Sequence, residues 1–301
     1  MLLTLIKDRF LGVCIIAAAI IVGGAWVYTV RLGNMNPAAA SAKTLAELEK
    51  VVAPEKGVAL PAVWGDLGRQ MTDNGIIDPR KFESLYSQRG GLDEVSKKLL
   101  NGTDNGRLVI TRENSGVLLN LLWALGLGNK NEILEKGEMT DRRYGGKANP
   151  PAGGFASTGG WTLAVGDPMD HYSRHPIVTL TPEQQSLVDG VSENIYRPCC
   201  GNSTHFPDCN HGMAMLGLLE LMALQGANEE DMYKAALAVN SYWFPDNYLT
   251  IAQYLKTKGV AWKNVSPKGI LAAGYSSAAG YRKILQQVPP AQRDSGGSCS
   301  A

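Results

Sequence analysis

The longest uninterrupted apolar stretch of the chain lies close to its start, at residues 10–30. These 21 residues carry no charge, and two basic residues stand just before them. A helix of this length rises about 30 Å, which matches the hydrocarbon core of a bilayer. The pattern predicts a transmembrane anchor at 10–30 and a cytoplasmic segment at 1–9, because basic residues favour the cytoplasmic side. A cleaved signal peptide is the alternative, with a small-residue site at 40–42.

After a short tether predicted at 31–42, apolar residues recur with the three-to-four-residue period of amphipathic helices. Two runs, 117–127 and 211–225, are apolar almost all round, which predicts helices buried in the core. Alternation typical of a strand occurs only at 107–111. The remaining predicted helices are 44–52, 60–72, 79–86, 92–100, 182–196, 229–242, 246–258 and 267–287.

Several of these helices carry clear start signals. Asp78 precedes a proline at the first helical position, and Asn228 precedes the helix predicted at 229–242. Thr181 and Gln184 have the spacing of a capping box, in which two side chains satisfy free backbone amides. These signals indicate that the helical segments begin where the periodicity places them.

Residues 135–176 break the helical pattern, because they are rich in glycine and proline and show little periodicity. A long irregular segment inside a compact domain is commonly functional. The predicted fold is therefore all-α, with one compact extracytoplasmic domain at 43–290. We expect a multi-helix domain with this long loop inserted, and a disordered tail at 291–301.

The balance of charges narrows the range of partners. The formal net charge of the chain is +1, which argues against binding nucleic acid or anionic membrane through bulk electrostatics. Membrane contact is expected through the single helix at 10–30. The sequence motifs of P-loop enzymes, serine hydrolases, zinc proteases and c-type haem proteins are absent. No reaction, substrate or protein partner is therefore indicated.

Cysteine and histidine are concentrated in one short segment. Within thirteen positions stand the candidate ligands Cys199, Cys200, His205, Cys209 and His211. Thiolate sulfur and imidazole nitrogen are ligands that zinc and copper prefer. The segment leads into the buried helix predicted at 211–225, whose N-terminal field favours a thiolate at Cys209. The sequence therefore predicts a transition-metal site at the start of a buried helix, with zinc slightly ahead of copper.

The same cysteines permit two other interpretations. In an oxidising compartment, a disulfide from Cys199 or Cys200 to Cys209 would contribute roughly 2–3 kcal/mol of stability. The domain would then be a non-catalytic interaction or assembly module with a stapled loop. A thiol redox or soft-metal capture protein is a third interpretation, although a C-x-x-C motif is missing.

The long loop holds the other two histidines of the chain, His171 and His175, at i and i+4. We predict that this loop folds over the segment 199–211 and adds at least one imidazole to the metal site. Glu220 lies two to three turns along the helix from the cluster, and the sequence gives it no defined catalytic role. Thioether ligands would shift the preference towards copper, although helical spacing is typical of core packing; the methionines near the cluster are Met169, Met213 and Met215.

Overall fold

The computed structural model describes residues 37–291, with side-chain burial described from residue 44. The chain divides into two compact units, 1–47 and 48–301. Within the described residues there are 13 α-helices and one antiparallel pair of strands. The elements are α1 (Pro37–Val52), β1 (Val58–Gly65), α2 (Leu67–Asp73), α3 (Pro79–Ser87), α4 (Glu94–Asn101), β2 (Asn105–Ile110), α5 (Ser115–Gly128), α6 (Glu132–Lys136), α7 (Pro182–Ser192), α8 (Asn210–Leu224), α9 (Glu229–Trp243), α10 (Pro245–Thr257), α11 (Pro267–Leu271), α12 (Ala273–Ser276) and α13 (Ala278–Leu285).

The predicted anchor at 10–30 and all but the first residue of the tail predicted at 291–301 lie outside the described residues. Among helices α1 to α13, none is both long and apolar enough to cross a membrane. Helix α1 begins at Pro37, inside the segment that the sequence predicts as a tether. The described part of the chain is mostly helical, as the hydrophobic pattern predicts.

The centre of the fold is the contact between α5 and α8, the two helices that are apolar almost all round. Their backbones meet at two glycines. A Cβ added to Gly217 would lie 2.7 Å from the backbone nitrogen of Gly126 and 2.5 Å from the carbonyl of Leu122. No side chain fits between the helices here, so close packing of the core depends on glycine at this crossing.

The two strands differ from the all-α prediction. Strand β1 occupies residues predicted as the first half of a helix at 60–72, so that part of the prediction is wrong. Leu60, Ala62 and Trp64 alternate inwards and are buried, and the strand pairs with β2. Pairing with residues 40 to 52 positions further along the chain overrides local helix propensity. The register shifts between residues 59 and 63, at the proline that cannot donate to the ladder.

The long loop is held in place by two tryptophans. Trp161 is buried, and its Nε1 donates to the carbonyl of Ile76 over 2.8 Å. Trp123 of α5 contacts the Trp161 ring edge-on and donates to the carbonyl of Ser157 over 2.7 Å. The amide of Ser157 in turn donates to the carbonyl of Asp208. The loop therefore packs on both the core and the segment that carries the cysteines.

Candidate metal site

Four of the candidate ligands lie in the connection from α7 to α8, residues 193–209, and His211 lies in the first turn of α8. This segment folds back on itself, because the amides of Thr204 and His205 donate to the carbonyls of Ile195 and Ser192. A single bridge pairs Tyr196 with residue 203. The fold-back returns the chain to the start of α8 and brings residues on both sides of the loop together.

The interior of this loop is filled by Arg197, which is only 1% exposed. Its Nε donates to Cys209 Sγ over 3.0 Å, and one Nη donates to the carbonyl of Asn202 over 3.2 Å. The other Nη donates to the carbonyl of Phe206 and forms an ion pair of 2.7 Å with Asp208. Four separate groups thus fix the guanidinium, and through it the position of the Cys209 sulfur.

The guanidinium also lies on the first turn of α8. A Cβ added to Gly212 would be 2.6 Å from Arg197 Cζ and 2.6 Å from one Nη. Only glycine leaves room for the buried charge at this point of the helix. Arg197 and Gly212 are therefore part of the site, although ligand chemistry alone does not point to either of them.

Three ligand atoms converge at the mouth of the loop. The sulfurs of Cys199 and Cys209 and a ring nitrogen of His211 all lie within 4.8 Å of one another. The two sulfurs are 3.9 Å apart. Two thiolates bound to a tetrahedral zinc at about 2.3 Å would be separated by about 3.8 Å, so the spacing matches that of ligands. The group could hold a metal ion.

A second group shares one of these sulfurs. Ligand atoms of Cys200, Asp208 and Cys209 also lie within 4.8 Å of one another. Arg197 already pairs with the carboxylate and donates to the shared sulfur, so a cationic side chain lies beside two of the three ligands. A metal ion there would compete with Arg197 for two ligands, the Asp208 carboxylate and the Cys209 sulfur, whereas in the group with His211 it would share only the sulfur. The group with His211 is consequently the better metal site.

The imidazole of His211 is oriented by aromatic packing. Its ring lies 4.4 Å from that of Phe244 and 5.6 Å from that of Trp243, measured between centroids. The residue is 8% exposed and belongs to the first turn of α8. Packing of this kind fixes a ligand before the metal arrives, which reduces the ordering cost of binding.

Charge in the cluster is concentrated on one sulfur. Hydrogen bonds from the thiols of Cys199 and Cys200, together with Arg197, hold the pKa of Cys209 well below its usual range against the effect of burial. Contacts with the sulfurs of Cys200 and Cys209 raise the pKa of Cys199. Cys209 also occupies the N-cap of α8, where the helix field favours negative charge. Burial raises the pKa of Asp208, although Arg197 opposes this effect.

The other predicted histidines lie elsewhere. The Nδ1 of His205 is 3.4 Å from a carboxylate oxygen of Glu138, and His205 belongs to neither ligand group. His171 Nδ1 and His175 Nε2 are 3.2 Å apart, and His171 Nε2 lies 2.9 Å from the carbonyl of Val165. A carbonyl can only accept, so Nε2 of His171 carries a proton and donates. The two imidazoles contact each other and form no part of the ligand groups.

The long loop nonetheless packs over the cysteine segment. The ring of Phe206 lies 5.4 Å from that of Phe155 and 5.3 Å from that of Tyr144.

The methionines near the cluster have other neighbours. Met213 and Met215 are buried in the core on α8, and Met169 lies against Gly153.

The disulfide interpretation does not fit the structure. The three cysteines of the described residues, 199, 200 and 209, are all free thiols. The sulfurs of Cys199 and Cys209 are 3.9 Å apart, whereas a disulfide needs about 2.05 Å. The loop keeps its shape through Arg197 and backbone hydrogen bonds, without a covalent staple.

Glu220 of α8 is buried completely, and neither of its carboxylate oxygens has a hydrogen-bond partner among the described residues. Burial raises its pKa well above the usual range. The side chains of Asn129 and Asn131 lower the pKa in part, but they do not reach hydrogen-bonding geometry. Eleven residues of helix, about 16 Å, separate Glu220 from Cys209, so it takes no part in the cluster.

Comparisons with family models, with curated proteins and with solved structures found no match for this chain. The fold and the site define a mostly helical protein with a Cys/His cluster that could hold a metal ion.

Proposed function

We propose that this protein binds one transition-metal ion, zinc in preference to copper, through Cys199, Cys209 and His211. The observation that carries the proposal is the convergence of two sulfurs and one imidazole nitrogen within 4.8 Å. The site would lie in an extracytoplasmic domain held to the membrane by the helix predicted at 10–30. Its partner or substrate is not specified by the ligand chemistry.

The charges around the cluster favour a cation. The Asp208 carboxylate already balances Arg197, so a thiolate at Cys209 leaves one uncompensated negative charge. A divalent ion would compensate this charge and a second thiolate formed at Cys199, leaving the site neutral. Metal binding would therefore release the Cys199 proton, as expected for a thiol that becomes a ligand.

The ligand set favours zinc over copper. Two thiolates and one imidazole suit a tetrahedral zinc ion, whereas thioether ligands would have indicated copper. Met213 and Met215 are instead packed in the core. Cys199 is exposed, so the fourth position would face solvent and be taken by water. Arg197 would support the site from behind by its hydrogen bond to Cys209.

The test is metal analysis of the purified full-length chain after incubation with zinc and removal of excess ion. We expect one zinc per chain in the wild type and in the matched control His205→Ala. Cys209→Ser should bind less than a tenth of this amount. Cys200→Ser should bind as the wild type does, because Cys200 belongs to the other group. Circular dichroism would verify that each variant is folded. Equal zinc content in wild type and Cys209→Ser, or none in the wild type, would contradict the proposal.

A further inference from the structure

We propose that the pair Cys199 and Cys209 makes the metal site redox-sensitive, so that two-electron oxidation joins the two sulfurs and releases the ion. The inference rests on the proposed metal site and concerns its regulation. It follows from the geometry of the two sulfurs, the contacts that hold one of them and the exposure of the other.

The two sulfurs are close enough to react. They are 3.9 Å apart, and a disulfide of about 2.05 Å requires them to approach by about 1.9 Å. Cys199 is exposed, so a small oxidant reaches the pair from solvent. A side chain at Gly201, two residues further along the loop, would meet nothing within 4 Å, so the loop has open space at that position.

The two partners differ in how they are held by their surroundings. Cys209 is held by the N-terminus of α8 and by the buried Nε of Arg197 at 3.0 Å. Cys199 lies at the surface of the loop, and its sulfur contacts that of Cys209. We therefore expect the Cys199 side chain to rotate towards a fixed Cys209. The helix and His211 would keep their positions.

The chemistry balances with a peroxide as the oxidant. Both sulfurs are thiolates in the metal-bound form. One thiolate attacks a peroxide oxygen, the O–O bond breaks, and a sulfenic acid and hydroxide form. The other sulfur then attacks the sulfenic sulfur and displaces the second oxygen. With two protons from solvent, the products are one disulfide and two waters. The ion loses two of its three protein ligands, and His211 alone would not retain it.

The experiment treats the zinc-loaded full-length chain with about one equivalent of hydrogen peroxide. A chromophoric zinc indicator measures release, and peptide mapping locates the crosslink. We expect one zinc released for each Cys199–Cys209 crosslink formed, and rebinding after reduction. Cys200→Ser should give the same result as the wild type. The same zinc-loaded sample kept without peroxide should show neither the crosslink nor released zinc.

The possible failures are distinguishable. A chain that binds no zinc before peroxide overturns the proposed function and, with it, this coupling. A chain that binds zinc and keeps it after treatment overturns the redox sensitivity alone. Release without a Cys199–Cys209 crosslink also overturns it while leaving the metal site intact.

Discussion

Gly212→Ala adds a single methyl group beside the buried charge of the site. The new Cβ would lie 2.6 Å from Arg197 Cζ, about 1 Å closer than ordinary contact. The guanidinium cannot retreat without losing its bonds to Cys209 or Asp208. Overpacking costs about 1–3 kcal/mol, and a lost charged hydrogen bond about 1.5–3. The higher helix propensity of alanine offsets about 1 kcal/mol of this cost. The free energy of unfolding should fall by about 2–4 kcal/mol.

Gly190→Ala is the matched control. Gly190 also lies in a helix, α7, but a Cβ there would meet nothing within 4 Å. The control should gain about 0.5–1 kcal/mol from propensity alone. Urea denaturation of the full-length chain, followed by tryptophan fluorescence, measures both variants. Zinc affinity should fall in Gly212→Ala and stay unchanged in the control.

A double-mutant cycle identifies the cause. In an Arg197→Met background the guanidinium is absent, so Gly212→Ala should lose most of its penalty. A coupling energy above about 1 kcal/mol is expected between the two sites, which are in direct contact. A Gly212→Ala protein as stable as Gly190→Ala, with wild-type zinc affinity, would refute the reasoning.

Three further predictions follow from buried or ligating groups. Burial raises the pKa of Glu220, so the folded state retains a proton that the unfolded state loses above about pH 4.5. The free energy of unfolding should therefore fall with rising pH, by about 1.4 kcal/mol per pH unit, until the folded state ionises. In denaturation curves recorded across this pH range, Glu220→Gln should remove the slope. The control Glu193→Gln, at an exposed position, should keep it. A chelator should lower the melting temperature of the zinc-loaded wild type and leave Cys209→Ser unchanged, because a bound ion stabilises the folded state; equal responses would contradict this. His211→Ala should weaken zinc binding at least tenfold in a competition titration, whereas His205→Ala should have no effect.

The local signals in the sequence located most helices correctly. Asp78 and Asn228 cap their helices as predicted, and Thr181 and Gln184 form both bonds of the capping box. These features depend on residues within four positions of one another, which a single sequence displays. The two apolar runs, 117–127 and 211–225, likewise form the buried helices α5 and α8.

Features that depend on contacts between distant residues could not be predicted from local sequence signals. Strand β1 exists because it pairs with β2, and the helix predicted at 267–287 is divided into three. Its breaks fall at Ala272 and Ser277, whose backbones are extended. Nothing in the local composition distinguishes these positions from a continuous helix.

The site shows the same limit. The clustering of cysteine and histidine indicated the right loop, but Arg197 gave no signal because charged residues are normally exposed. Its burial depends on partners at four other positions and on the missing side chain of Gly212. A glycine in the first turn of an otherwise bulky apolar helix was the only available sign.

The central claim is that two sulfurs and one imidazole bind the same ion. X-ray absorption at the zinc edge of the zinc-loaded full-length chain tests it most directly, because it counts sulfur and nitrogen neighbours. The expected shell has two sulfurs at about 2.3 Å and one imidazole nitrogen at about 2.0–2.1 Å, with a water completing the tetrahedron. Cys199→Ser should lose one sulfur from this shell. A shell of oxygen and nitrogen alone would contradict the account.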